Sequence, residues 1–363
     1  MKRLRVALFG TSFARLVQAP GFQRHAGYEV VAIAGSDPEK TRRIAGELGI
    51  PSSYCDWREL LERESPDLVS IATPVDLHHP MMLSAIGAGA HVLCEKPTAM
   101  HLWQAVEMRD AAEAAGRVTG INHEFRFFPA RAHALAMIHE GAIGRPRRAE
   151  ILGRYPIWHS AKGRAMNWLA DRARGGGITG ALGSHHSDCL RMIFGEPVSA
   201  WGSLRVQQPR RGSPADGAPE GVATADDACT FQYTFGGGET ALVDLDATAP
   251  YRFERFEVHG EDATLRWDET GYRLWRITPG EAPEEIAIPT ELALDPIEGE
   301  PALIAPFGVL VDRLHRAITN GEPLSPSFAA DAVPVQAALD AVRASSAAGA
   351  VVRVARAPEL VRR

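Results

Sequence analysis

The first third of the chain alternates short apolar runs with segments that have helical periodicity. Each run is rich in valine or isoleucine, as expected for strands that are buried on both faces of a sheet. These runs cover residues 4–9, 29–34, 67–72, 91–94 and 118–122. Strands that are separated by helices favour right-handed crossovers, so the pattern predicts an α/β fold with a doubly wound parallel sheet.

Individual residues predict where two of the intervening helices begin and end. Asp37 is expected to cap one helix, with Pro38 as its first residue and Gly49 just after its last. Another helix is expected over residues 102–115, and Gly116 should end it. Both helices then belong to crossovers of the same parallel sheet.

After Pro129, strand-like runs follow one another without long helices between them. They cover residues 148–155, 199–207, 228–235, 239–247, 252–259, 263–267 and 272–277. This spacing predicts a large, mainly antiparallel open sheet, with residues 208–221 as an exposed loop inside it. Further helices are expected over residues 130–140, 303–319 and 327–348. The chain should therefore divide into a first domain at residues 1–122 and an α+β domain at residues 123–363.

The composition narrows the class of protein without indicating a reaction. The 363 residues suffice for two domains, and 45% of them are hydrophobic. The formal charge is -6, from 39 Lys+Arg against 45 Asp+Glu. A nucleic-acid binder usually carries a basic excess, and a disordered chain has fewer apolar residues. We therefore expect a folded protein with no nucleic-acid partner.

The cysteines and the apolar runs indicate the compartment. The four cysteines are far apart and form no CxxC pair, which is typical of reduced thiols rather than of a disulfide or zinc framework. No run approaches the roughly 20 apolar residues of a membrane span. The start of the chain is better interpreted as a first strand than as a signal peptide. A soluble, cytoplasmic protein with no membrane partner is expected.

A glycine turn follows the first predicted strand, at the place where dinucleotide-binding folds hold a pyrophosphate. Of the G-x-G-x-x-G pattern only Gly10 matches, because Ser12 and Arg15 occupy the other two glycine positions. Ser12 is small enough for close approach, whereas Arg15 must point outward to avoid crowding the helix. By itself the turn leaves an ordinary βα connection as an alternative.

The end of the second predicted strand leaves the choice between NAD and NADP open. An acidic residue there would bind the ribose hydroxyls of NAD, but Gly35 and Ser36 stand at that position, and Asp37 is better explained as a helix cap. The nearby Lys40, Arg42 and Arg43 would suit a 2′-phosphate, or they belong to a solvated helix face.

Several motifs in a fixed order resemble one family of enzymes. They are Ala72-Thr73-Pro74 with His78, Cys94-Glu95-Lys96-Pro97, Arg126-Phe127-Phe128-Pro129, Gly175-Gly176-Gly177, and Gly183-Ser184-His185-His186-Ser187-Asp188. This order resembles the glucose–fructose oxidoreductase/inositol dehydrogenase/MocA family over nearly the whole chain. The Glu-Lys-Pro segment followed by Gly-Ser-His-x-x-Asp is the specific part of the resemblance.

The resemblance implies an NAD(P)-dependent oxidoreductase that acts on a carbinol or carbonyl carbon of a sugar, sugar derivative or polyol. It also implies a homodimer or homotetramer that forms through the C-terminal sheet. By position, Lys96 resembles the active-site lysine of the family and His185 its catalytic histidine. The positions that resemble cofactor contacts are Gly10, Thr11, Ser12, Phe13, Ser36, Thr73, Pro74, His78, Glu95 and Lys96.

Elementary chemistry supports these two catalytic residues. A hydride leaves a carbinol carbon only if the hydroxyl proton is removed at about the same time, and histidine titrates in the right range to accept it. Pro97 is expected as the first residue of a helix, whose electropositive N-terminus would favour a neutral amine at Lys96. A charged Lys96 would instead polarise a substrate carbonyl in the reverse direction.

Ala181 departs from the family pattern. Members with the fullest catalytic set carry Asp four residues before the histidine, and this chain has Ala181 there. Either another group, such as Ser184 or Asp188, orients His185, or the proton path runs mainly through Lys96.

The segment at residues 154–168 combines aromatic and basic side chains, which suits binding of a carbohydrate or an anionic sugar. Tryptophans that pack between domains are the alternative interpretation of this segment. The predicted substrate contacts are Asn122, Arg126, Trp158, Lys162, Trp168, His186 and Asp188. No metal is expected, because the cluster around His185 lacks further convergent ligands.

Two other functions remain open at this point. One is a redox-assisted glycoside hydrolase, which retains NAD, oxidises a sugar hydroxyl transiently, eliminates the aglycone and reduces the product again. The other is a non-catalytic binding protein on a Rossmann scaffold, suggested by Ser12, Arg15 and Ala181. The presence of both Lys96 and His185 argues against the second.

Overall fold

The computed structural model describes residues 3–159, 166–213, 218–268, 271–294 and 298–356. The chain forms two compact units. The first consists of Met1–Phe127 and Leu294–Val333, and the second of Phe128–Ala293 and Pro334–Arg363.

The secondary structure alternates strands and helices at first and is then dominated by strands. The strands are β1 (Leu4–Phe9), β2 (Tyr28–Ala34), β3 (Ser52–Tyr54), β4 (Leu68–Ile71), β5 (His91–Cys94), β6 (Thr119–Ile121), β7 (Arg148–Arg154), β8 (Pro197–Arg205), β9 (Arg210–Ser213), β10 (Ala218–Val222), β11 (Ala228–Phe235), β12 (Thr240–Asp246), β13 (Phe253–His259), β14 (Thr264–Asp268), β15 (Leu274–Ile277), β16 (Glu284–Ile286) and β17 (Val352–Arg353). The α-helices are α1 (Ala19–Arg24), α2 (Pro38–Leu48), α3 (Trp57–Glu64), α4 (His78–Gly87), α5 (Leu102–Ala114), α6 (Pro129–His139), α7 (Ser184–Phe194), α8 (Ile304–Asn320) and α9 (Val333–Ala348). None of the helices in the described ranges has the length and apolar character needed to cross a membrane.

The first unit is built on a six-stranded sheet in the order β3-β2-β1-β4-β5-β6. All of its strand pairs are parallel. Val6, Leu8 and Ile33 are fully buried, as expected for strands covered on both faces. The doubly wound parallel sheet is therefore confirmed. Strand β3 was not predicted, because its sequence is polar and its side chains stay partly exposed.

The predicted helix ends in this unit are also confirmed. The side chain of Asp37 accepts a hydrogen bond from the Lys40 amide at 2.9 Å, and Gly49 ends α2 with a φ of 65°. Gly116 follows α5 with a φ of 61°. Positive φ values of this kind favour glycine, which explains why these two residues end their helices.

A segment from late in the chain completes the first unit. Phe307 of α8 packs edge-on against Phe22 with 5.5 Å between ring centroids, and the Tyr28 hydroxyl donates to the Val311 carbonyl at 3.2 Å. The compact units therefore differ from a division at residue 122, because α8 buries its apolar face on the first unit.

The second unit contains a nine-stranded sheet in the order β16-β15-β14-β13-β7-β12-β11-β8-β17. β7 and β12 pair in parallel, and the other neighbouring strands are antiparallel. Burial alternates along β7 and β12, so only one face of the sheet belongs to the core. The predicted large, mainly antiparallel sheet is confirmed.

The exposed loop predicted at residues 208–221 is wrong. Strands β9 and β10 pair there as an antiparallel hairpin. Its Arg211 side chain is buried and forms an ion pair with the fully buried Asp227 at 3.1 Å. Such a pair ties the hairpin to the body of the unit, and the segment, which is rich in glycine and proline, gave no sign of it.

Candidate active site

The predicted cofactor and substrate residues of the first unit follow four neighbouring strands. Gly10 comes after β1, Thr73 and Pro74 after β4, Glu95 after β5, and Asn122 after β6. The carboxyl ends of parallel strands share one edge of the sheet, which is where open α/β sheets bind ligands. The topology therefore brings these residues to the same edge.

The turn after β1 is built around Gly10. Its φ is 117°, and a Cβ at this position would lie 2.2 Å from the carbonyl oxygen of Ala72. Only glycine fits, because both the backbone conformation and the space exclude a side chain. Ser12 in this turn is exposed, while Thr11 and Phe13 are partly exposed. A tight turn that leaves its next residues open suits a dinucleotide pyrophosphate.

Arg15, at the third glycine position of the motif, points away from the sheet. Its guanidinium forms an ion pair with Glu47 of α2 at 2.9 Å, and the side chain is 43% exposed. The departure from glycine at this position therefore leaves the packing of the helix on the strand intact.

The first residue after β2, Gly35, has no room for an acidic side chain. A Cβ on Gly35 would lie 2.5 Å from Cγ2 of Thr11. Asp37 is occupied as the cap of α2, and Ser36 and Lys40 are exposed. A carboxylate can reach a ribose here only from position 36 or beyond.

His78 is fully buried and bridges the loops after β4 and β5. Its Nε2 lies 3.0 Å from the Thr73 carbonyl oxygen, and its Nδ1 lies 3.1 Å from that of Pro97. Burial lowers the pKa of His78, although the carbonyl groups act in the opposite direction. His78, a predicted cofactor contact, thus links these two loops beneath the edge of the sheet formed by the carboxyl ends of its strands.

The helix expected to begin at Pro97 is wrong. Helix α5 begins at Leu102, and Pro97 lies in the loop before it. The amide of His101 and that of Met100 both donate to the side-chain oxygen of Gln104, which fixes the start of the helix there. Lys96 is therefore not beside a helix N-terminus, and its environment is set by other groups.

The Glu95 carboxylate is the charged group next to Lys96. It is 7% exposed, and one of its oxygens accepts a hydrogen bond from the side-chain amide of Asn122 at 2.5 Å. Burial raises the pKa of Glu95, while the charge of Lys96 and the bond from Asn122 act to lower it. Lys96 itself is partly exposed.

His185 lies in the first turn of α7, which a π-helical turn at Thr179–Gly183 precedes. His185 is 1% exposed, and Ser184, His186 and Asp188 are buried to the same degree. Burial lowers the pKa of His186 to about 4, so its imidazole is neutral at neutral pH.

Asp226 holds the loop that leads into this π-helical turn. One of its carboxylate oxygens accepts hydrogen bonds from the amide and the hydroxyl of Thr179, at 2.8 and 2.7 Å. Gly177 has a φ of 115°, and a Cβ there would lie 2.2 Å from the other oxygen. The triple-glycine motif therefore lets this half-buried carboxylate approach the backbone closely.

Comparison with known families agrees with this geometry. Residues 4–123 match the family model described as an oxidoreductase family with an NAD-binding Rossmann fold. Residues 132–266 match the C-terminal domain model of the same family. The chain belongs to the GFO/IDH/MocA family of oxidoreductases. The predicted family and the predicted class of enzyme are confirmed, and the first unit carries the NAD-binding fold of the family.

Two curated relatives and one solved structure show how far the similarity extends. The 1,5-anhydro-D-fructose reductase of Ensifer adhaerens is 32% identical over 72% of this chain and 74% of its own. The levoglucosan dehydrogenase of Pseudarthrobacter phenanthrenivorans is 28% identical over 87% of each chain. A structure of levoglucosan dehydrogenase with NADH and L-sorbose has a TM-score of 0.88 and 25% identity, covering 98% of this chain and 100% of that one.

Most substrate contacts predicted for this GFO/IDH/MocA member are buried. Trp158 is 5% exposed, and the guanidinium of Arg211 covers its ring at 4.2 Å from the centroid. Trp168 is partly exposed, at the start of a short 3-10 turn. Lys162 lies outside the described residues. Trp168 is thus better placed than Trp158 to stack on a ligand.

Arg126 is held within the first unit. Its guanidinium donates to the Asp331 carboxylate at 2.6 Å and to the Ser325 hydroxyl at 2.9 Å, and it is 6% exposed. These bonds join the end of the parallel sheet to the late segment of the unit. They favour a structural role for Arg126, and its predicted contact with substrate stays a prediction.

Sequence reasoning missed three polar residues: the fully buried Gln18 and Ser70, and the half-buried Asp226. Each lies in a segment without a recognisable motif, and its hydrogen-bond partners are far away in the chain. A polar side chain on the buried side of the first helix was the one available signal for Gln18.

Among the residues that the structure describes, Glu150, Glu257 and His259 on the nine-stranded sheet have side-chain atoms close enough together to hold a metal ion. The guanidinium of Arg148 lies 2.8 Å from Glu150, so a cation already neutralises part of this group. His185 and His186 are not members of it.

Proposed function

We propose that this protein transfers a hydride between NAD and a carbinol or carbonyl carbon of a sugar, a sugar derivative or a polyol. The observation that carries the proposal is Lys96 beside the buried carboxylate of Glu95, at the edge of an NAD-binding sheet. Relatives named for 1,5-anhydro-D-fructose, levoglucosan and D-apiose support a sugar as the substrate class.

Bound nicotinamide supplies or accepts the hydride. The chain must then move the hydroxyl proton and stabilise charge on the oxygen. Lys96 is the group proposed to bind that oxygen, with Glu95 as its counter-ion. His185 is proposed as the second proton-transfer group, held in the first turn of α7.

NAD is the proposed coenzyme rather than NADP. The family model for the first unit is described as NAD-binding, and the cited relative was solved with NADH. If NADP were the coenzyme instead, the exposed side chain of Lys40 near the end of β2 would be the one to attract its 2′-phosphate. A coenzyme titration with both nucleotides tests this choice, and tighter binding of NADP would overturn it.

The substrate class is tested by following nicotinamide absorbance with purified protein, NAD and a panel of sugars. The panel should include levoglucosan, 1,5-anhydro-D-fructose with NADH, D-apiose and several polyols. Equimolar formation of NADH and oxidised sugar supports the proposal. Release of an aglycone from a glycoside without net change in NADH would instead indicate the redox-assisted hydrolase.

A further inference from the structure

A chain of buried hydrogen bonds joins the helix after the glycine turn to the Glu-Lys-Pro segment. The side-chain nitrogen of Gln18 donates to the Glu95 carboxylate at 3.0 Å. The hydroxyl of Ser70, in the neighbouring strand β4, donates to the side-chain oxygen of Gln18 at 2.9 Å. Gln18, Ser70 and Asn122 are fully buried.

The local backbone explains why a glutamine side chain points into the sheet here. Gln18 ends a π-helical turn at Ala14–Gln18, in which the Ala19 amide donates to the carbonyl oxygen of Ala14. Pro20 follows and has no amide hydrogen to continue an ordinary α-helical ladder. The wider turn ends with Gln18 on the buried side of the helix.

The orientation of the Gln18 amide follows from its two partners. A carboxylate accepts hydrogen bonds, so the amide nitrogen must face Glu95. The amide oxygen then faces Ser70, whose hydroxyl is able to donate. Ser70 thus locks the amide in the one orientation that serves Glu95.

The donors around Glu95 decide its charge. Burial raises the pKa of the carboxyl group, and the charge of Lys96 and the hydrogen bonds from Asn122, the Lys96 amide and Gln18 lower it. Lys96 supplies a positive charge beside Glu95, and the charge of Glu95 in turn helps to raise the pKa of the buried Cys94 thiol. An ionised Glu95 therefore depends on the charge of Lys96 and on a small number of neutral donors, of which Gln18 is one.

We propose that Gln18 is a positioning residue that holds the Glu95 carboxylate as the counter-ion of Lys96. The proposal rests on the role given to Lys96 in the proposed function. Gln18 lies eight positions after Gly10 on the same βα connection, so the arrangement links the coenzyme turn to the proton-transfer lysine. Its action is electrostatic and passes through Glu95, without contact between Gln18 and substrate.

The test compares wild-type protein with Gln18→Met, which keeps the length of the side chain and removes the donor. Infrared difference spectra recorded over a pH series report the carbonyl stretch of a protonated, buried carboxyl group. The band that disappears in Glu95→Gln belongs to Glu95. Losing one hydrogen bond to a charged group should raise the midpoint of this band by about one pH unit.

Matched variants separate this effect from general damage. Gln23→Met removes an exposed amide that bonds to the Leu48 carbonyl, and it should leave the midpoint unchanged. Ser70→Ala releases the Gln18 amide and should shift the midpoint in the same direction by less. If Gln18→Met does not fold, Ser70→Ala alone decides. An unchanged midpoint in the folded variants overturns the proposal.

Activity adds a second readout once a substrate is identified. In Gln18→Met, kcat/KM should fall about tenfold below the shifted midpoint and stay within about twofold above it. A uniform loss at every pH would mean that Gln18 has only a structural role. Turnover in Lys96→Ala would contradict the proposed function, whereas the infrared midpoint tests the role of Gln18 separately.

Discussion

Glu95 and His186 are buried ionisable side chains whose surroundings act on them differently. Burial raises the pKa of Glu95, but Lys96 and several donors counteract it. Burial lowers the pKa of His186 to about 4, and both of its ring nitrogens lack hydrogen-bond partners among the described residues. The pKa of Glu95 thus stays raised despite the nearby cation and donors, while the pKa of His186 is low enough that its ring is neutral at neutral pH.

The catalytic residues give the first prediction at this scale. Lys96→Ala and His185→Ala should each abolish turnover while the affinity for NAD changes by less than about tenfold, because proton transfer is lost and the coenzyme turn is untouched. Steady-state kinetics and fluorescence titration with NADH measure the two effects. His133→Ala, on α6, is the control and should keep wild-type kinetics. Near-normal turnover in both catalytic variants would show that the site is assigned incorrectly.

His186 predicts a pH dependence of stability. Its pKa falls from 6.5 to about 4 on folding, so the unfolded chain binds more protons between these values. The free energy of unfolding should therefore decrease as the pH falls through this window, by an amount on the order of 3 kcal/mol for this group. Urea unfolding at a series of pH values measures it. His186→Leu should flatten the curve, and an unchanged slope would refute this origin.

Helix ends and apolar strands could be predicted, whereas contacts between distant polar residues could not. Asp37 and Gly49 determine the ends of α2 through local geometry alone. The start of α5 at Leu102 agrees with the helix predicted over residues 102–115, and the side chain of Gln104 fixes it there, whereas the separate helix start expected at Pro97 is wrong. Arg211 is buried because Asp227 pairs with it, and neither residue shows this in its own segment.

The glycine turn gives a prediction at the scale of an element. Gly10→Ala should lower the melting temperature and abolish binding of NADH, because its Cβ would meet the Ala72 carbonyl oxygen and its φ is unfavourable for alanine. Gly46→Ala, in helix α2, is the matched control, since no atom lies within 4 Å of its Cβ. That control should raise stability by about 0.5–1 kcal/mol. Normal NADH binding by Gly10→Ala would contradict the assigned coenzyme turn.

Each compact unit takes segments from two parts of the chain. Helix α8 completes the first unit, although more than 160 residues of the second unit precede it in sequence. Sequence patterns predicted the helix itself but not the unit on which it packs, because amphipathic periodicity does not identify the partner of the apolar face. Lys96 belongs to the first unit and His185 to the second, and their combined role remains a proposal.

We predict that a homo-oligomer forms through the outer face of the nine-stranded sheet. Trp201 of β8 is 40% exposed, and Gln232 faces outward beside it on β11. Light scattering after gel filtration should give a dimer or tetramer, and Trp201→Asp should reduce the mass to that of one chain. Trp103→Asp, at another exposed tryptophan, is the control and should not. A wild-type monomer would rule out this interface.

A calorimetric titration of coenzyme-free protein with NADH and with NADPH tests the proposed function most directly. We expect one NADH to bind per chain, to be displaced by NAD, and to bind more tightly than NADPH. Failure to bind either nucleotide would contradict an NAD-dependent oxidoreductase and, with it, the roles assigned to Gly10 and Lys96.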